Sequence, residues 1–194
     1  MISYFLSLNS PWTYFGHQRV QQMASAANVA IRPFVVDFGK IFDATGGLPV
    51  PKRSKQRQDY RLAELDRWRN FLDIDLNIHP AHWPADDTLA ANIMGSLRDT
   101  DVEKSLAFAG AVMRAIWAEE RNIGEPGVIS EICSALDIDF EAHKDADYAS
   151  TREKDTRSAI AQGVFGAPSY IYRGDLFWGQ DRLEFLGRAL SEAS

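Results

Sequence analysis

Strand-like sequence is confined to the two ends of this chain, and about 110 residues of mostly helix-like sequence lie between them. The first end has two apolar runs, at residues 2–6 and 29–38, with a helical pattern at residues 11–27 between them. A helix that joins two apolar strands normally places them side by side and parallel. This order predicts a βαβ unit at the start of the chain.

The other end predicts an antiparallel hairpin. Residues 170–172 and 176–178 are strand-like, and Arg173-Gly174-Asp175 between them suits a short connection. A last helix is expected to begin near Asp181, which with Glu184 resembles a capping box that has Asp at the cap. The chain therefore closes with a ββα unit.

The middle of the chain predicts a loop followed by helices. Residues 39–51 contain three glycines and two prolines, which favours a loop. Helical patterns or caps then follow at residues 53–70, 87–97, 101–120, 127–136, 138–145 and 149–162. The order βαβ, helices, ββα predicts an α/β thioredoxin-like fold. Residues 1–50 and 160–194 would form a discontinuous thioredoxin-like domain, with a helical insertion domain at 51–159.

Charge and hydropathy exclude several kinds of partner. The chain has 194 residues and a formal net charge of -6, which argues against binding to nucleic acid or to an anionic membrane surface. A basic cluster at Lys52, Arg53, Lys55 and Arg57 is interpreted as a solvated helix face. No apolar run approaches the ~20 residues that span a bilayer. Strand-like sequence follows Met1 at once, without a signal-peptide pattern, so we expect a cytoplasmic protein.

Cysteine and histidine offer little chemistry here. Cys133 is the single cysteine and lies in a helix-periodic apolar stretch, which predicts a buried core thiol and excludes an internal disulfide. His79 and His82 have no third ligand in the pattern, and Pro80 between them breaks helical spacing. We predict no metal site.

The segment Ser10-Pro11-Trp12-Thr13 follows the first predicted strand. Serine is a favoured helix N-cap and proline a favoured first helical residue. In thioredoxin-like oxidoreductases this turn carries two cysteines, whose thiolate the helix N-terminus stabilises. Hydroxyl groups replace both thiols here, which excludes dithiol chemistry. The place that would hold a thiolate remains, so a thiol could come from another molecule.

The segment "GVFGAPSY", residues 163–170, leads into the predicted hairpin. A proline at the start of this strand usually follows a cis peptide bond in thioredoxin-like folds, and Ala167-Pro168 occupies that place. An extended residue before proline can offer its N–H and C=O groups to a peptide-like ligand. Ala167 is the residue that would do so.

Four segments together carry a family resemblance that spans nearly the whole chain: "SPWTY", "YRLAELDRW", "GVFGAPSY" and "LFWGQDRLEFL". The sequence resembles the kappa-class glutathione transferases and the related 2-hydroxychromene-2-carboxylate isomerases, which share a DsbA-like thioredoxin fold. The resemblance implies that glutathione is the cofactor, that a small aromatic molecule is the substrate, and that the protein forms a homodimer.

The resemblance also implies residue roles. Ser10 would donate a hydrogen bond to the glutathione sulfur, and Ala167, with Pro168, would pair with the cysteinyl part. Asp181, with Gln180, would bind the γ-glutamyl end, a role that is compatible with capping a helix.

The sequence departs from the family pattern in two places. Gly47 and Leu48 stand where family members commonly have Gly-Asn-Lys, so Lys52 or Lys55 would supply a cation for the glycyl carboxylate. Asp86 stands where the family has an asparagine near the substrate, which would change substrate orientation.

The resemblance implies a glutathione-dependent isomerase in which a thiolate adds reversibly to the substrate. Trp12, Tyr14 and Trp83 would form aromatic walls of the substrate site or belong to the core. Two alternatives remain: a glutathione transferase that conjugates electrophiles, and a non-catalytic protein that binds thiols or peptides.

Overall fold

A computed structural model describes residues 1–192, so the last two residues of the predicted thioredoxin-like domain lie outside the described residues. Its sheet has the order β2-β1-β3-β4, with β1 (Ile2–Leu6), β2 (Ile31–Val35), β3 (Ser169–Tyr172) and β4 (Asp175–Trp178). β1 pairs with β2 in parallel and with β3 in antiparallel orientation, and β3 pairs with β4 in antiparallel orientation. The predicted βαβ unit and hairpin are therefore both present.

The helices in the described part of the chain are α1 (Pro11–Ala26), α2 (Phe38–Thr45), α3 (Lys55–Leu72), α4 (Thr88–Thr100), α5 (Val102–Trp117), α6 (Pro126–Ala135), α7 (Phe140–His143), α8 (Ala149–Ala161) and α9 (Leu183–Ser191). Short 3-10 turns occupy Val50–Lys52 and Gln180–Arg182. Helices α3 to α8 lie between the two strand-containing ends of the chain. None of the helices in residues 1–192 is long and apolar enough to cross a membrane.

Alternation along β1 explains how the sheet is covered on both faces. Tyr4 and Leu6 belong to the larger core, whereas Phe5 belongs to a smaller core on the other face. The larger core also contains buried residues of α4 and α5, so the sheet and the helical segment share one apolar interior. Cys133 lies in that interior, as predicted.

The predicted loop at residues 39–51 is wrong over its first half, which forms α2. Asp37 caps this helix by accepting hydrogen bonds from the N–H groups of Gly39 and Lys40, at 2.8 and 3.3 Å. Gly46, with a φ of 76°, ends it in the left-handed conformation. The glycine content indicated a loop, but here the glycines stand at the two ends of a short helix.

Candidate functional site

Ser10 begins α1 and keeps a free hydroxyl hydrogen. The Thr13 N–H donates to Ser10 Oγ at 3.2 Å, which completes the predicted N-cap. Within residues 1–192 the Ser10 hydroxyl finds no acceptor for its own hydrogen. The group can therefore cap the helix and donate to a ligand at the same time.

Thr13, the second hydroxyl of the segment, faces inward. Its side chain is fully buried, and its Oγ1 has no hydrogen-bond partner in the described part of the chain. Ser10 lines a cavity and Thr13 does not. Of the two hydroxyls that replace a dithiol, only that of Ser10 is available to a ligand.

Two adjoining cavities lie beside the start of α1. One, of about 590 Å³, includes Ser10, and we call it the Ser10 lobe. The other, of about 660 Å³, includes Asp181, and we call it the Asp181 lobe. Both are lined by Trp12, Arg53, Arg57, Arg61, Ala167 and Trp178. These shared walls make the two lobes parts of one cleft.

Ala167 lies where the two lobes meet and offers its backbone to the cleft. The Ala167-Pro168 peptide bond is cis, as predicted. The Gly179 N–H donates to the Pro168 carbonyl at 2.8 Å, which ties this segment to the end of β4. Neither the N–H nor the C=O of Ala167 has a hydrogen-bond partner in residues 1–192. Both groups are thus available to an extended, peptide-like ligand.

Gln180 and Asp181 both line the Asp181 lobe, but they differ in burial and in their hydrogen-bond partners. Gln180 is buried, and its Oε1 accepts a hydrogen bond from Arg19 Nη1 at 2.5 Å. Asp181 is partly exposed and accepts from Arg182 Nη1 at 2.8 Å. Gly179 has a φ of 99°, and a Cβ there would collide with Asp181 Oδ1. Gly179 therefore permits the close turn that places this carboxylate in the cleft.

The predicted capping role of Asp181 is wrong. Helix α9 begins at Leu183, its cap residue is Arg182, and no side chain caps it. Asp181 instead belongs to the 3-10 turn that precedes the helix. Its carboxylate has a neighbouring guanidinium as partner and remains open to a ligand.

The three aromatic residues predicted as possible substrate walls separate into two groups. Trp12 lines both lobes and Trp83 lines the Ser10 lobe. Tyr14 lines neither, because two residues along a helix correspond to a rotation of about 200°. It packs against the core and stacks on Phe15 at a ring distance of 6.4 Å, and burial raises its pKa.

Lys52 and Asp86 also lie outside the lining of the cleft. Lys52 ends an exposed 3-10 turn. Asp86 Oδ1 accepts hydrogen bonds from the N–H and hydroxyl of Thr88 at 2.9 and 2.6 Å, and these bonds lower the pKa of its carboxyl group. Asp86 thus stabilises the turn before α4.

Three arginines in the cleft were not predicted as site residues. Arg57 and Arg61 are four residues apart, which places them on one side of the start of α3, and Arg53 lies in the extended segment just before this helix. The predicted solvated face holds for Arg57, which is exposed, whereas Arg53 is half-buried, and both residues also line the cleft. The predicted solvated face also holds for Lys55, whose exposed side chain forms an ion pair with Asp59, with 2.7 Å between Nζ and Oδ1. The four-residue spacing was the signal available in the sequence.

The described residues contain no group of three or more histidine, cysteine or acidic side chains that could hold a metal ion. His17 is buried between Tyr4 and the backbone of Leu106, so it is structural.

The DsbA-like thioredoxin domain model matches residues 1–191, and the chain belongs to that family. The chain is 26% identical over 197 residues to the 2-hydroxychromene-2-carboxylate isomerase of Pseudomonas putida, with 98% of this chain and 94% of the relative covered. A solved structure of a 2-hydroxychromene-2-carboxylate isomerase is similar at a TM-score of 0.80 and 24% identity, covering 99% and 95% of the two chains. The Pseudomonas putida relative supports an enzyme of the isomerase family, and the solved structure shows the shared fold.

A second solved structure is also similar to this chain. A probable DsbA oxidoreductase from Streptomyces coelicolor has a TM-score of 0.74 at 18% identity, covering 99% of this chain and 88% of the other. At that identity the likeness concerns the fold alone. The hydroxyl of Ser10 and the absence of any second cysteine in the sequence separate this chain from dithiol chemistry.

Proposed function

We propose that this protein is a glutathione-dependent isomerase of 2-hydroxychromene-2-carboxylate-type aromatic substrates. The supporting observation is the joint presence, in one cleft, of a free Ser10 hydroxyl and of the unpaired backbone groups of Ala167. The Ser10 hydroxyl can donate a hydrogen bond to a thiol and so favour its anion at neutral pH. The backbone N–H and C=O of Ala167 can hold a peptide in an extended form.

The donors and acceptors of the cleft fit glutathione, which has a thiol between two peptide groups, one ammonium group and two carboxylates. Asp181 supplies an acceptor for the ammonium group at the far end of the Asp181 lobe. Ala167 supplies a backbone donor and acceptor between that lobe and Ser10. Arg53 and Arg57 supply cations for a carboxylate, the role that the family resemblance implied for Lys52 or Lys55.

When bound, glutathione would supply a thiolate that adds to a conjugated carbon of the substrate and leaves after a bond has rotated. Ser10 donates its hydroxyl hydrogen to the sulfur, and the N-terminus of α1 supports the same negative charge. Ser10 does not need to lose its proton for this role. Trp12 and Trp83 provide apolar walls against which a planar substrate packs.

The first experiment measures glutathione binding by calorimetry, then the conversion of 2-hydroxychromene-2-carboxylate by absorbance with and without glutathione. We expect binding and glutathione-dependent conversion. Lack of binding by the wild-type protein would overturn the proposal. Binding with consumption of a model electrophile, but without isomerisation, would indicate a transferase instead.

The second experiment separates chemistry from helix capping. Ser10→Ala removes both the cap and the donor to sulfur, and we expect at least a tenfold loss of activity, since a hydrogen bond to a charged group contributes about 1.5–3 kcal/mol. Asp101→Ala removes the cap of α5, where Asp101 accepts from the Lys104 N–H at 3.0 Å. Each cap loss costs about 1 kcal/mol of stability. Only Ser10→Ala should lose activity, and equal activities of the two variants would reject the role of Ser10.

A further inference from the structure

Arg61 is a buried cation whose guanidinium has an unsatisfied nitrogen. Its side chain is only 8% exposed, and its Nη2 is buried without a hydrogen-bond partner in residues 1–192. No acidic side chain of the described chain forms an ion pair with it. A buried charge without a counter-ion is costly, and such groups are normally paired.

Another buried arginine of the same protein shows the normal case. Arg98 is 4% exposed, and its Nη1 lies 2.6 Å from Asp155 Oδ2 and 3.0 Å from the Tyr148 hydroxyl. Arg98 lines neither lobe of the cleft, and its hydrogen-bond partners come from the protein itself. Arg61 lines both lobes of the cleft, so its missing partner can come from a bound molecule.

Aromatic packing holds the Arg61 guanidinium close to the Ser10 end of the cleft. Its central carbon lies 4.8 Å from the Trp83 ring centroid and 6.0 Å from that of Trp117. Trp83 Nε1 in turn donates to the carbonyl of Asn9 at 2.8 Å, and Asn9 directly precedes Ser10. Arg61 is thus linked through Trp83 to the turn that would hold the reacting sulfur.

The Ser10 lobe has extensive apolar walls. Its lining includes Phe38, Phe42, Leu48, Val50 and Phe165. An aromatic ring suits these walls, but a carboxylate attached to that ring would need a cation. Arg61 is the buried cation of the lobe, whereas Arg57 is exposed and Arg53 half-buried. Burial lowers the pKa of Arg61 to about 10, so it stays charged at neutral pH.

We propose that Arg61 is the specificity-determining residue that binds the carboxylate of an aromatic substrate beside Ser10. This inference rests on the proposed function for the reaction itself, but the binding it describes can be measured without glutathione. Under this inference, the more exposed Arg53 and Arg57 bind the glycyl carboxylate of glutathione.

The test compares 2-naphthoate with its neutral analogue 2-naphthamide, both measured by calorimetry without glutathione. We expect Arg61→Met to lower naphthoate affinity at least tenfold and to leave naphthamide affinity within twofold. Arg61→Lys should recover part of the naphthoate affinity. The matched control is Lys55→Met, which removes an exposed positive charge at the start of the same helix. This variant should change neither the naphthoate affinity nor the naphthamide affinity.

Two further measurements on Arg61→Met make the result decisive. Because the wild-type guanidinium is buried and unpaired, its removal should not lower the midpoint of thermal unfolding. Glutathione affinity should stay within twofold of wild type. A loss of glutathione affinity with unchanged naphthoate affinity would assign Arg61 to the glycyl carboxylate and overturn the proposal. Unchanged naphthoate affinity with a lower midpoint would make Arg61 a structural residue and overturn it as well.

The outcome is separable from that of the proposed function. Should wild-type protein fail to bind glutathione yet bind naphthoate in an Arg61-dependent manner, the proposed isomerase would fall and the carboxylate site would stand. Should wild-type protein bind glutathione but show no binding of naphthoate in the same calorimetric titration, the carboxylate site would fall alone.

Discussion

The side chain of Asn9 pairs with the backbone of Ala85 through two hydrogen bonds. Asn9 Nδ2 donates to the Ala85 carbonyl at 3.0 Å, and Asn9 Oδ1 accepts from the Ala85 N–H at 2.9 Å. Together with the bond from Trp83 Nε1 to the Asn9 carbonyl, they join the turn before α1 to the segment before α4. One wall of the Ser10 lobe is therefore fixed to the residue that precedes Ser10.

Asn9→Ala should lower both stability and substrate affinity. It removes two neutral hydrogen bonds, each worth about 1 kcal/mol, and leaves the peptide groups of Ala85 without these partners. We expect urea unfolding to show a loss of about 2 kcal/mol. The control is Asn70→Ala on exposed α3, which removes a single bond to the Asp66 carbonyl. Equal losses in the two variants would contradict the importance of the Asn9 link.

The fold was predictable because hydrophobic residues recur with different periods in strands and in helices. In addition, the residues of the hairpin turn are of types that favour a tight connection. Arg173 and Gly174 both have positive φ, at 53° and 91°, as a tight two-residue hairpin connection requires. The α2 helix was missed because a short helix between glycines resembles a loop when only composition is considered. The start of α9 was misplaced because a 3-10 turn, which no local sequence pattern indicates, precedes the helix.

The site was predictable only where a short motif encodes it. Ser10 and Ala167 lie in such motifs, and both reach the cleft. Arg61 could not be found that way, because its importance comes from burial and from the absence of an acidic partner. Both are properties of tertiary packing, since Trp83 and Trp117 approach Arg61 from distant parts of the chain.

The buried His17 should make stability depend on pH. Its Nε2 lies 2.9 Å from the Leu106 carbonyl, which can only accept, so Nε2 carries the hydrogen and Nδ1 accepts from the Tyr4 hydroxyl at 3.1 Å. Burial lowers the pKa of His17 from 6.5 to about 4. Between these values the unfolded chain binds a proton that the folded chain does not, so acid favours unfolding.

The expected size of this effect is a loss of about 2 kcal/mol of unfolding free energy from pH 7 to pH 5. Above about pH 7.5 the ring is neutral in both states and the contribution is constant. Urea titrations across this range would measure it. His17→Gln keeps a donor and an acceptor but does not titrate, so its stability should change less steeply with pH. Parallel curves for the two proteins would show that His17 is not responsible.

Gly166 should be required for the position of Trp178 rather than for stability. A Cβ at Gly166 would overlap the Trp178 indole ring, which is half exposed and packs on Phe165 at a ring distance of 4.7 Å. The ring can move toward solvent, so we expect Gly166→Ala to cost less than about 1 kcal/mol. Glutathione affinity and tryptophan emission should change, because Trp178 lines both lobes.

A second glycine supplies the control for that variant. Gly127 lies in the first turn of α6, and a Cβ there would meet nothing within 4 Å. Gly127→Ala should stabilise the protein by up to about 1 kcal/mol, because alanine favours the helix, and should leave tryptophan emission unchanged. A change of emission in both variants would mean that the signal does not report on the cleft.

Asp155→Ala should be among the most damaging single changes in the helical segment. Its carboxylate, 15% exposed, accepts from both Arg98 Nη1 and the Tyr148 hydroxyl at 2.6 Å, and so joins α4 to α8. Its loss would leave the buried Arg98 charge with the neutral Tyr148 hydroxyl and the exposed carboxylate of Asp99, at a cost of about 3–5 kcal/mol.

The matched control for Asp155 is Glu131, whose carboxylate pairs with Arg121 at 2.5 Å on the surface and is 74% exposed. Glu131→Ala should cost less than about 1 kcal/mol, since water screens an exposed pair. Urea unfolding of both variants measures the difference. If Asp155→Ala lost no more than Glu131→Ala, a buried arginine without its partner would be tolerated in this fold. The unpaired state of Arg61 would then no longer indicate a bound carboxylate, so this stability measurement also bears on the cleft.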